Sequence, residues 1–400
     1  MAYLTEEKHR QIIDFVKNKL LNATVESWNI GQSVQASKPK WAYESGCMLE
    51  AVMGLHCATG EQIYFDFVKR IADQFVNNDG GILGYDPEEY NIDHIKMGKV
   101  LFDLHEKTGQ EKYKKATELL YSQLQKHPRT KTGNFWHKKI YPNQVWLDGL
   151  YMGQPFYIRY EVEFNGGRNI SDSLLQFVNV REFMKDKKTG LFYHGYDESR
   201  TMFWADKETG LSRHFWSRAI AWYVMALVDC AEILDNAKTG NHSDSNSIER
   251  ETLKRHLREI VDAMLRYTHN LMFWQVTDKG DMPGNYTETS ATCAMSYAIM
   301  KGARLKLLPE NYFDVGREIF ISVVENKLEL GDGIFVLKDG CLVSGLGGMR
   351  GTGSYKLRDG TYDYYISELR ADNELKTVAI FLYAFAEIIR GGCCIPVARV

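Results

Sequence analysis

Apolar residues recur at spacings of three and four along most of the chain. Residues 5–23 place Ile12, Ile13, Phe15, Val16, Leu20 and Leu21 on one stripe. Residues 247–269 do the same through Leu253, Leu257, Ile260, Val261 and Leu265, with charges opposite. This is the period of an amphipathic helix. Applied throughout, it predicts twelve helices and few strands: 5–23, 41–58, 61–76, 92–107, 111–127, 148–163, 169–186, 214–234, 247–269, 287–306, 309–328 and 370–390. The helices alternate in character. The first, third and fifth are charged on one face, whereas the second, fourth and sixth (WAYESGCMLEAVMGL, NIDHIKMGKVLFDL, WLDGLYMGQPFYI) are apolar nearly all round. A helix apolar all round is buried, and a one-sided helix covers it.

A repeat sharpens this picture. ATGEQIYF and KTGQEKYK share T-G-x-x-x-Y, with Thr59 and Thr108 forty-nine positions apart. A period near 50 that contains two helices indicates stacked helical hairpins. Six hairpins close into an all-α (α/α)6 barrel, six helices inside and six outside, here expected as one catalytic domain over residues 1–400. An open helical solenoid is the rival arrangement. The polar run DNAKTGNHSDSN, residues 235–246, reads as a loop between neighbouring helices. The run GLGGMRGTG, residues 345–353, lacks G-x-G-x-x-G spacing and a surrounding βαβ unit, so it is expected as a loop at the barrel rim rather than a nucleotide site.

Composition adds limits. The chain is 44% hydrophobic and 25% charged, with a net charge of −3 and a pI near 6.4. Such a balance gives no electrostatic reason to expect nucleic acid or an anionic membrane as partner. No run of 18 apolar residues occurs, and the start, MAYLTEEKHRQIIDFVKNKLL, has no continuous apolar stretch or cleavage pattern. Seven scattered cysteines, with Cys393 and Cys394 adjacent and no C-x-x-C pair, read as reduced thiols. A cytoplasmic protein, monomer or homodimer, is the expectation. Aromatic residues reach 12%, with 8 Trp and 23 Tyr; this suits sugar binding, although core packing accounts for most of them.

The candidate chemistry lies where inner helices begin. In order these starts carry Tyr43 and Glu44; Asp93 and His94; Trp146 and Asp148; His214, Trp216 and Arg218; Thr287, Glu288 and Thr289; Glu368 and Arg370. Parallel inner helices would gather all six at one mouth. The preceding loops add Trp136, His137, Lys138, His194 and Trp204. Asp148 stands among Trp146, Tyr151 and Met152; either it caps the helix, or its aromatic setting keeps a carboxyl ready to donate a proton. Asp93 has the same two readings, and with Asp148 could form a glycosidase pair or tune it. Trp216, Arg218 and Trp222 can share one surface, where a guanidinium beside indoles suits a sugar carboxylate; the alternative is a structural Arg paired with an acid. His137 and His194 are hydrogen-bonding candidates. No H-E-x-x-H or Cys/His cluster supports a metal, and no cofactor is expected.

NIDHIKMG, WLDGLYMGQPF, YHGYDES, FWSRAIAWY and DGTYDYYISE together, in this order over nearly the whole chain, resemble glycoside hydrolase family 105, the unsaturated rhamnogalacturonyl hydrolases. The likeness to the unsaturated glucuronyl hydrolases of family 88 is more distant. The resemblance implies an (α/α)6 barrel, Asp148 as catalytic acid/base, and Asp93, His137, His194, Arg218 and Trp222 around a small oligosaccharide ending in an unsaturated uronic acid; the converging helix starts and loops add Tyr43, Lys138, Trp146 and Trp216 as substrate-binding candidates. Its substrates are products of polysaccharide lyases, whose terminal ring carries a C4=C5 vinyl ether; hydrating it needs one group that gives a proton and takes one from water. Ala221 stands where these families often have glycine, which predicts a locally narrower pocket. Three alternatives remain at this level. They are the same chemistry on glucuronyl substrates, an inverting glycosidase using Asp93 and Asp148, and a non-catalytic helical scaffold.

Overall fold

The computed structural model describes residues 3–22, 41–237, 245–348, 357–392 and 394–395. Along them run α1 (Glu6–Phe15), α2 (Tyr43–Thr59), α3 (Gln62–Ala72), α4 (Lys99–Thr108), α5 (Glu111–Lys126), α6 (Leu147–Phe164), α7 (Ile170–Met184), α8 (Ser217–Asn236), α9 (Ser245–Met264), α10 (Thr289–Arg304), α11 (Tyr312–Asn326), α12 (Tyr362–Ile366) and α13 (Leu375–Arg390). The 3-10 turn Ile92–Gly98 leads into α4. An inner ring closes on itself. α2 packs on that turn, the turn on α6, α6 on α8, α8 on α10, α10 on α13, and α13 again on α2. An open solenoid has no such last contact. Each of α2, α4, α6, α8 and α10 is backed by the next helix, and His9 of α1 meets Phe385 of α13 at 5.2 Å between ring centroids. The chain is an (α/α)6 barrel.

The inner helices are buried as their sequences require: in α10 every residue from Thr289 to Ala303 is buried. The T-G repeat is the turn that ends the first two inner helices. Thr59 and Thr108 hydroxyls donate to the carbonyls four residues back, Leu55 and Leu104, at 2.8 and 2.5 Å. Gly60 and Gly109 follow at φ +74° and +65°, the left-handed conformation that glycine adopts freely at a helix end. His56 and His105 then bridge to the carbonyls of Glu61 and Gln110 at 3.0 and 3.2 Å, so the shared unit is H-x-x-T-G rather than T-G alone.

Close approach fixes another glycine. A Cβ at Gly46 would stand 2.8 Å from the backbone N and Cα of Met97, where α2 crosses the 3-10 turn. Gly46→Ala is therefore expected to destabilise by about 1–3 kcal/mol. At Gly54 the nearest atom would be 3.8 Å away; Gly54→Ala should hold or raise the melting temperature, and paired thermal melts check both.

Several boundaries differ from the sequence reading. The fourth helix opens as a 3-10 turn over Ile92–Gly98. The first ends in a π-turn, Val16–Leu20, and residue 23 lies outside the described residues. The expected helix start at 370 is instead a strand, Arg370–Ala371, paired with Gly340–Cys341. Asn373, at φ +51°, ties this segment to the carbonyl of Phe335 and the amide of Leu337, so α13 begins only after Glu374. Among the described residues the five strand pairs are two to four residues long. Cys47, Cys57, Cys230, Cys293 and Cys341 are free thiols; Cys393, residues 238–244 of the expected loop and residues 349–353 of the glycine-rich run lie outside the described residues.

Candidate active site

A short antiparallel pair of strands brings two distant motifs together. Gln144–Trp146 pairs with Gly195–Asp197 in the register Trp146 to Gly195, and the Leu147 amide donates to the His194 carbonyl at 3.1 Å. Asp148 therefore begins α6 directly beside His194. Its Oδ2 is 3.4 Å from His194 Nε2, and both atoms are shut off from solvent without an aligned hydrogen bond. Asp148 is not a cap, because Trp146 occupies that position and no side chain caps the helix. Nor is Asp93, since Asn91 is the cap and accepts from the Asp93 amide.

One cavity gathers four of the six expected inner-helix starts. It holds about 660 Å³ counting the part open to solvent, within the range of small-molecule sites. Tyr43, Glu44, Asp93, His137, Lys138, Trp146, Asp148, Trp216, Arg218 and Trp222 line it. His194 stands behind Asp148 rather than on the wall, and is wholly buried. Other expected contributors do not line it: His94, Trp136, Trp204, Thr287, Glu288, Thr289 and Glu368 are absent from its wall, and three more lie elsewhere. His214 lies in the loop before α8 and packs against Tyr362 and Tyr365. Arg370 lies in its strand, half exposed, 3.2 Å from Asp339 Oδ1. Ala221 is fully buried and lines no part of the cavity, so it does not narrow the pocket as expected.

The charges are arranged in opposed groups. Lys138 Nζ is 2.7 Å from Asp93 Oδ2, and His137 Nε2 is 3.6 Å from Asp93 Oδ1. Burial pushes the Asp93 carboxyl up, but Lys138 and His137 overcome it and hold it below the usual carboxylate range. Burial pulls the His137 imidazole down to about 4, against the pull of Asp93. His137 is thus neutral at pH 7. On the opposite side Arg218 is 1% exposed and lies 4.7 Å from the Trp216 ring centroid. Its Nη1 donates to the Cys341 carbonyl and to Ser290 Oγ at 3.1 Å, with Glu288 Oε1 3.9 Å away. Its Nε has no partner. Arg218 thus lies near an acid and also lines the cavity.

Aromatic rings form the walls. His137, Trp146 and Tyr141 make a stacked column, with centroids 4.4 and 5.1 Å apart. Trp222 stacks on Tyr151 at 4.8 Å. Sequence reasoning passed over Tyr141, Met152, Val343, Ser344, Gly345 and Arg358, which also line the cavity. Tyr141 and Met152 sit in stretches already singled out; residues 343–345 and 358 come from irregular chain, where no periodicity marks an inward side. The glycine-rich run does reach the rim: Gly347 exchanges backbone hydrogen bonds with Arg358 at 2.9 Å, and the Gly345 amide donates to Tyr364 Oη at 2.9 Å. Among the described residues no group of three His, Cys, Asp or Glu could hold a metal ion, and no helix is long and apolar enough to cross a membrane. The arrangement offers one carboxyl free of hydrogen bonds, one buried guanidinium, and flat aromatic faces.

Known proteins share this design. Glycosyl Hydrolase Family 88 matches over residues 12–391. A solved glycoside hydrolase of family 105 from C. acetobutylicum superposes with a TM-score of 0.83 at 40% identity, covering 96% of this chain and 99% of that one. The Agrobacterium fabrum protein Atu3128 is 37% identical over 242 residues, 59% of this chain and 97% of its own length. The unsaturated rhamnogalacturonyl hydrolase YesR of Bacillus subtilis is 24% identical over 271 residues, 66% of this chain and 72% of its own. With its barrel, its cavity and these relatives, the chain belongs to the glycoside hydrolases of families 88 and 105.

Proposed function

We propose that the protein hydrates the C4=C5 bond of an unsaturated galacturonic acid at a non-reducing end, releasing it from an unsaturated rhamnogalacturonan disaccharide. The double bond and the ring oxygen form a vinyl ether. Asp148 gives its proton to C4, which leaves an oxocarbenium ion at C5. Water adds at C5 while Asp148 takes back a proton. The hemiketal opens, and the bond to the neighbouring sugar breaks with it. Arg218 receives the uronate carboxylate, as a guanidinium fork does well, while Trp216 and Trp222 pack on the ring. Tyr43, His137 and the Asp93–Lys138 pair hold the remaining hydroxyls, and Trp146, its N–H already given to Gln144, shapes the wall beside them.

The observation that carries this reading is that Asp148 and Arg218, seventy positions apart, open on one cavity. The choice of rhamnogalacturonan follows YesR, which is named for it. An inverting pair is disfavoured: Asp93 is held as an anion by Lys138 at 2.7 Å and is not free to activate water. Incubation with a panel of lyase products, followed by ultraviolet loss of the vinyl ether, tests the proposal. The rhamnogalacturonan disaccharide should bleach fastest. Faster bleaching of glucuronyl products would move the specificity, and no bleaching of any would end the reading.

A further inference from the structure

We infer that Tyr365 is a positioning residue that fixes the tautomer of His194 and, through it, the orientation of the catalytic carboxylate. The inference rests on the proposed role of Asp148. Tyr365 Oη lies 2.8 Å from His194 Nδ1, and both side chains are wholly buried. Among the described residues the hydroxyl has no second partner, and burial keeps the phenol protonated, its pKa well above 10. A buried O–H with one neighbour must donate to it. His194 Nδ1 is then the acceptor, and the ring proton sits on Nε2. That nitrogen lies 3.4 Å from Asp148 Oδ2, and among the described residues neither atom makes a hydrogen bond.

The consequence is directional. A donor 3.4 Å from Oδ2, out of line for a hydrogen bond in this state, is placed to close on the oxygen that is already shut off from solvent, and leaves Oδ1 to reach the cavity. When Asp148 has given up its proton, the Nε2–H stabilises the carboxylate until water returns one. Contacts of this kind are often long before a substrate is in place and tighten afterwards. The sequence reading made His194 a substrate hydrogen-bonding candidate; this inference turns it toward the carboxylate. Tyr365 itself is held firmly. Gln275 accepts from Trp216 Nε1 at 3.0 Å and donates to the Tyr365 carbonyl at 3.1 Å, so one amide sets both the ring over Arg218 and the helix that carries Tyr365.

The test is nitrogen-15 NMR of the imidazoles, with His194 assigned by the signals lost in His194→Gln, together with steady-state kinetics of Tyr365→Phe. Wild type should show His194 as the Nε2–H form. In Tyr365→Phe the proton should redistribute between the two nitrogens, and kcat should fall roughly ten- to a hundredfold with KM little changed, the usual effect of losing a supporting partner. A wild-type His194 protonated on Nδ1 overturns the inference, as does a variant whose tautomer or kcat is unchanged. The wild-type spectrum needs no substrate and no variant. A protein inactive on every unsaturated sugar would sink the proposed reaction while leaving this assignment to be decided by the spectrum.

Discussion

Asp148→Asn is expected to lower the rate of double-bond hydration by about 10²–10⁴-fold, the usual worth of a positioned acid/base. Asparagine keeps the size and shape of the side chain but has no proton to transfer to carbon. The fold should not register the change, because Asp148 caps no helix and its buried Oδ2 makes no aligned hydrogen bond. Loss of ultraviolet bleaching with an unchanged melting temperature is therefore the expected pair of results. Full activity in this variant would remove Asp148 from the chemistry, and Glu44 would be the next carboxyl to replace. Glu44 lines the same cavity, and burial raises its carboxyl despite the opposing charge of Lys376.

The second large effect lies below the cavity, in the interior of the ring. Asp229 of α8 accepts from Lys301 at 2.8 Å, Lys99 at 3.1 Å and Tyr297 at 2.7 Å, and all four residues are buried. Asp229→Ala would leave two buried ammonium groups sharing too few anions. Removing one partner from such a network costs about 3–5 kcal/mol, which a denaturant titration would read. Lys254→Ala removes an exposed pair with Glu251 and should change stability by less than about 1 kcal/mol. Acid should act through the same network. Burial raises the Asp229 and Glu232 carboxyls, but the Lys301 ammonium, with Lys99 for Asp229 and Arg304 for Glu232, outweighs it. Both end below their ordinary values, Glu232 at about 2. A carboxylate depressed in the folded state contributes stability that is present above its unfolded pKa, near 4, and lost as pH falls through the folded value. The melting temperature should thus drop between roughly pH 4.5 and 2, less steeply in Asp229→Ala. A flat acid limb in wild type would contradict this account.

Much of this was legible in the sequence for a physical reason. Helices that are buried all round must be apolar all round, so α2, α6 and α8 announce themselves as the inner ring, and alternation with one-sided helices gives the hairpins. Helix starts that converge on a common mouth are then a matter of geometry, which is why Tyr43, Asp93, Asp148, Trp216 and Arg218 could be named together. What escaped notice has no period. Arg358, Ser344 and Tyr365 come from irregular chain or a five-residue helix, where side-chain direction follows from tertiary contacts alone. The last inner helix was placed too early because Arg370 and Asn373 look helix-compatible locally, whereas pairing with Gly340–Cys341 draws that segment into a strand.

The stack behind Trp222 bears on how the proposed substrate would sit. Tyr151 lies flat against Trp222, and Lys96 Nζ sits 4.1 Å from the Tyr151 centroid, locked to Glu50 at 2.5 Å. Indole, phenol and ammonium thus stand one behind another at this wall of the cavity. For the reaction proposed above, such a backed wall suits the terminal unit of a chain better than its middle.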